Sequence, residues 1–127
     1  MEEEMISAVK SWLETIMPAV VETLITNLTE EVLCDMGKEQ GIHGPIVINL
    51  EEFLAPITAI HFFVMVIDDG MMLATNATIK GASDNITPEI GFDMFFPISD
   101  FAESIADEGH VSQLINHVLD FYKKVIR

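Results

Sequence analysis

Apolar residues recur every three or four positions from Met5 through Val9, Leu13, Met17, Val20, Leu24, Leu28 and Val32 to Met36, the period of a helix with one buried face. Pro18 falls inside this stripe and removes the backbone bond to residue 14, yet the stripe stays in phase on both sides. That combination predicts one long helix over residues 5–36, kinked at Pro18, with Gly37 as its terminator. Straight, such a helix would run about 48 Å, against a diameter of roughly 36 Å for a compact chain of this size. It must bend or project, and a projecting apolar stripe would need a second copy of the chain to cover it. A homodimer is therefore expected.

The period then changes. After a turn over residues 37–44, Pro45-Ile46-Val47-Ile48 reads as a short strand led by proline. Asn49 and Glu52 match a capping pair for one helical turn over residues 50–55, ended by Pro56. Residues 57–68 are rich in β-branched and aromatic side chains, and Asp69-Gly70 suits a tight hairpin turn into a partner strand over residues 71–80. With that turn Val66 pairs with Leu73, Val64 with Thr75, Phe62 with Ala77 and Ile60 with Ile79, which together read as a core face. The opposite face carries His61, Phe63, Met65, Met72, Ala74, Asn76 and Thr78. It mixes large apolar with small polar groups and is apolar enough to want cover.

A polar loop over residues 81–89 leads to a strand over residues 90–96, with Phe92, Met94 and Phe96 on one face and Asp93 and Phe95 on the other. Ser99 is positioned to cap a short helix that presents Phe101 and Ile105 inward and ends at Gly109. Residues 111–126 carry a second helical stripe, with Lys123, Lys124 and Arg127 where a helix C-terminus favours cations. The order α-β-(α)-β-β-β-α-α predicts an α+β fold: an antiparallel sheet of three to four strands, a long kinked N-terminal helix and two C-terminal helices. No repeat, linker or low-complexity tract divides the chain, so residues 1–127 read as a single domain.

Charge sharpens this reading. The chain holds 21 acidic and 6 basic residues, a formal net charge of −15, while half of it is apolar. A core of that size excludes disorder. The six cations are scattered, which argues against direct nucleic-acid binding. The longest apolar stretch falls well short of the ~18 to 20 residues that span a bilayer, so no membrane association is expected. Met1-Glu2-Glu3-Glu4-Met5 is acidic where export signals are basic, and the expected location is cytoplasmic. Asn27, Asn76 and Asn85 each begin an Asn-x-Thr triplet, which such a location leaves without meaning.

Catalytic and metal motifs are missing. The chain has no Gly-rich phosphate loop, no G-x-S-x-G and no H-E-x-x-H. Cys34 is the only cysteine and reads as a small buried hydrophobe. His110 and His117, with Asp107 and Glu108 upstream, have metal-ligand chemistry but read as a helix-capping and a flanking histidine. Asp68-Asp69-Gly70 is a turn without the spaced ligands of a calcium loop. His61 and Asp93 would form an acid/base couple if their strands were neighbours, and otherwise His61 bonds to Thr78 or Asn76. No catalytic residue, cofactor or metal is assigned.

The acid excess goes beyond what solubility requires. Glu22, Glu30, Glu31 and Asp35 belong to a first third with nine acids against two lysines, a field that draws in basic partners. The reading is a non-enzymatic acidic module that docks on a basic protein, as inhibitors, immunity proteins and anti-defence proteins do by carboxylate display. One alternative is a dimeric secretion or assembly chaperone holding a client on the sheet face of His61, Phe63, Met65, Met72, Asn76 and Asp93. Another, of a different class, is a small enzyme or ligand sensor using His61 and Asp93.

Overall fold

A computed structural model describes residues 2–50, 56–80 and 91–125. Helix α1 (Glu2–Asn27) and helix α2 (Glu30–Met36) precede strands β1 (Ile42–Asn49), β2 (Ile57–Ile67), β3 (Gly70–Ile79) and β4 (Met94–Pro97). A 3₁₀ turn (Ile98–Asp100) then leads into helices α3 (Phe101–Ile105) and α4 (Glu108–Val125). The strands form one antiparallel sheet in the order β1-β2-β3-β4. Helix α1 packs against α4 and β1, and α4 lies along β3. The α+β expectation holds, with four strands and the helices on one side.

Strand alternation decides what the helices cover. On the inner face Ile48 of β1, Ile60, Phe62 and Val64 of β2, Met71 and Leu73 of β3, and Met94 and Phe96 of β4 are buried. They join Leu13, Met17 and Leu24 of α1, Leu33 of α2, Phe101 and Ile105 of α3, and Leu114 and Val118 of α4 in one core. Phe96 meets Phe101 edge to face at a centroid distance of 5.4 Å, a geometry that adds to simple burial.

Several boundaries differ from the sequence expectation. The first helix continues through the exposed Pro18 and stops instead at Leu28-Thr29. There Thr29 turns extended (φ −69°, ψ 162°) and its Oγ1 accepts from the Val32 N–H at 3.3 Å. Thr29 followed by Glu30 and Glu31 is a helix start, with carboxylates at the positive end of the α2 dipole. The apolar stripe survives the break because Leu28 and Leu33 both reach the core. Cys34, expected inside, is exposed.

The hairpin loop is Asp68-Asp69, with Ile67 opposite Gly70. Asp68 takes the left-handed conformation (φ 55°) that Asp tolerates better than most residues. Pairing is displaced by two residues from the expectation, so Val64 faces Leu73 and Phe62 faces Thr75 while each residue keeps its face. A β-carbon at Gly70 would meet the ring of Phe95, which lies across it and would have to swing aside. Strand β1 begins three residues earlier than expected and carries a bulge between His43 and Ile46. Within the bulge Gly44 has φ +127°, and a β-carbon would approach the Phe62 carbonyl oxygen to 2.8 Å.

Residues 91–93 precede β4 without regular structure, and residues 51–55 of the predicted helical turn and the whole polar loop over residues 81–89 lie outside the described residues. Ser99 does not cap α3, and Gly109 does not end it. Gly109 belongs to the first turn of α4, where its N–H donates to Asp107 Oδ2 at 3.1 Å, so Asp107 marks the helix start.

Two substitutions check this architecture by chemical denaturation. Phe62→Ala is expected to cost about 3–5 kcal/mol while its sequence neighbour Phe63→Ala costs well under half of that, because only Phe62 lies in the core. Gly44→Ala is expected to cost more than about 2 kcal/mol, since it combines a positive φ with a backbone clash.

Candidate functional site

Two surfaces emerge from this arrangement. The first is the outer face of the sheet. The register places Met65 opposite Met72, Phe63 opposite Ala74 and His61 opposite Asn76 across β2 and β3. On β1, Ile42 lies beside Met65 and Val47 beside His61, and on β4 Phe95 lies beside Met72. Phe95 is 60% exposed, Ile42 54%, Ile67 46% and Val47 45%. Phe63, Met65 and Met72 are half-buried by one another and by their neighbours, and none belongs to the core cluster. Ala59 and Ala74 are buried on this face, sheltered beneath larger side chains, and they too stand apart from the core.

His61 sits in the middle of this face. Its Nε2 is 2.7 Å from Thr78 Oγ1, and burial pushes its pKa below the ordinary 6.5. A neutral imidazole bonded to a hydroxyl is the outcome.

Asp93 is not brought to His61. Strand β3 lies between β2 and β4, and the Asp93 carboxylate sits 3.6 Å from His117 Nε2 on α4. It belongs to the seam between the sheet and α4, and the proposed acid/base couple does not form. His110 turns the other way. Its Nδ1–H donates to the Ser104 carbonyl at 2.6 Å, tying the end of α3, and its ring stands edge-on to Phe96 at 5.0 Å. The two histidines thus face different partners, and among the described residues no three His, Cys, Asp or Glu side chains are grouped to hold a metal ion. His43 bonds to the Glu39 carbonyl at 3.1 Å.

The second surface is an acidic cleft of about 500 Å³ between α2 and the tip of the β2–β3 hairpin, floored by Val66 and Ile98. Glu30 from α2 and Asp68 and Asp69 from the hairpin line it together with Cys34, Lys38 and Ser99. Lys38 is already engaged by Asp35 at 3.2 Å. Glu31 and Asp35 are exposed on the same short helix, and Glu22 is exposed on α1. Asp68 and Asp69 have no place in a purely local reading, which takes them as turn residues. Their proximity to Glu30 arises only when the hairpin folds against α2, and no spacing in the chain announces it.

The depressed pKa of His61 makes a signed prediction. Between its folded value and 6.5 the unfolded chain binds more protons, so stability falls as pH drops through that window and is regained as pH rises. Urea denaturation from about pH 7.5 to about pH 5.5 at one protein concentration should show this loss, and His61→Gln should flatten it. Equal slopes in the two proteins would show that His61 titrates as a solvent-exposed histidine. The geometry stands without a relative to compare it with: no protein-family model, no curated protein and no solved structure matches the chain.

Proposed function

We propose that this chain is a non-enzymatic protein-binding module that docks on a basic protein surface, displaying carboxylates as inhibitors, immunity proteins and anti-defence proteins do. The observation that carries the reading is the cleft that gathers Glu30, Asp68 and Asp69 from separate parts of the chain. Around it Glu31 and Asp35 extend the negative field, and the one lysine inside is compensated by Asp35. A Lys- or Arg-bearing segment entering the cleft would exchange water for charge-assisted hydrogen bonds, with Val66 and Ile98 beneath it for apolar contact. The rest of the net charge accelerates encounter from a distance. No helix among the described residues is long and apolar enough to cross a membrane, and we place the protein in the cytoplasm as part of the same reading.

The alternative, a chaperone that holds an extended client on the sheet, draws on the open outer face. It predicts apolar rather than electrostatic capture.

Titration with a labelled oligoarginine peptide tests the cleft. Binding should weaken with added salt, and Glu30→Gln with Asp68→Asn and Asp69→Asn should weaken it roughly tenfold or more. The matched control, Glu3→Gln with Glu4→Gln and Glu14→Gln, removes the same charge from α1 and should have a much smaller effect. Equal losses from the two sets would mean that bulk charge alone attracts the peptide and that the cleft is not a docking site.

A further inference from the structure

We infer that the outer face of the sheet is the interface between two copies of this chain. The register puts fifteen residues on that face within the strands, among them Ile42, Val47, Phe63, Met65, Met72 and Phe95, and none is Asp, Glu, Lys or Arg. On a chain where 21% of residues are charged, this depletion is what distinguishes the centre of a protein interface from ordinary surface.

Charge complementarity selects the occupant. A basic partner would find no carboxylate on this face, and an acidic one would gain nothing from it. The same face on a second copy is equally apolar and equally uncharged, and the described acids of both copies would project from the helices, the hairpin tips and the connecting segments. Two bodies of charge −15 repel one another, and an uncharged contact face adds no like-charge pair at its centre to that repulsion. His61 enters such an interface neutral and already bonded to Thr78, so its burial leaves that hydrogen bond in place.

The area suffices. The strands contain 33 residues, and at about 3.3 Å along and 4.8 Å across the sheet they present a projected area of about 520 Å². Face-to-face pairing of two such sheets would remove on the order of 1,000 Å² from water, the lower bound of a specific interface. Sheets pack this way about 10 Å apart with interleaved side chains, and the protruding Phe95, Ile42 and Val47 supply the relief to interleave. The inference is independent of the acidic cleft.

The test is the oligomeric state of the whole chain by analytical ultracentrifugation, from about 1 to 200 µM, the range in which an interface of this size associates. The wild type should be a dimer whose dissociation constant falls as salt rises, because screening relieves repulsion without touching apolar contacts. Val47→Lys combined with Phe95→Lys should raise that constant by more than about tenfold. Both positions are exposed in the single chain, so the double variant should keep its circular dichroism and its cooperative unfolding. Asp69→Asn should leave the dimer intact, which separates this inference from the cleft. A wild type that stays monomeric throughout overturns the inference, whether or not the face then captures an extended client peptide. A dimer that survives the double lysine variant overturns it as well.

Discussion

Everything in this molecule follows from the fact that a β-sheet has two faces and the helices cover one. Helices α1 and α4 lie on the inner face with the side chains of Phe62, Val64, Leu73 and Phe96. The strands are nonetheless apolar on both sides. Met65, Met72 and Phe95 are no more suited to water than their inward neighbours, yet nothing in the core reaches them. Burying a Phe or Met side chain contributes about 1.5–3 kcal/mol, so this face forgoes a stabilisation that the inner face receives.

The strands and their faces were legible in the sequence because alternation is a local property. Residues 57–80 show their inner and outer sets directly, and a hairpin register displaced by two residues leaves both sets unchanged. The turn itself was not legible. Asp69-Gly70 has the composition of a tight loop, but the loop is Asp68-Asp69 and Gly70 is already paired opposite Ile67, beneath the ring of Phe95, a residue twenty-five positions further on. The end of the first helix was misread for a related reason. The apolar stripe runs in phase past residue 27, since Leu28 and Leu33 both reach the core, so the quiet cap at Thr29 is hidden beneath a continuous helical pattern.

Sites are less legible than strands because they depend on which elements become neighbours. His61 with Thr78 could be anticipated, since both lie on one hairpin. Asp93 with His117 could not, because the sequence does not reveal that α4 lies along β3 close to the entry of β4. The acidic cleft is the same kind of feature: Glu30 and the hairpin aspartates meet through tertiary packing alone. Carboxylate count was visible from composition, but carboxylate placement required the fold.

The bulge in β1 has a bearing on the ends of the sheet. Between His43 and Ile46 the ladder is interrupted, and Gly44 and Pro45 occupy the gap. Along that stretch β1 offers a broken row of amides and carbonyls, and among the described residues the opposite rim begins with the four residues of β4, paired to Gly70–Leu73 of β3. Neither rim is a good template for a further strand. Growth of the sheet sideways, the route to open-ended fibres, is therefore discouraged along these two stretches, and stacking through a single two-fold axis would use up the exposed apolar face. Such an aggregate would close at two chains and would let a protein carry a wide greasy surface without polymerising.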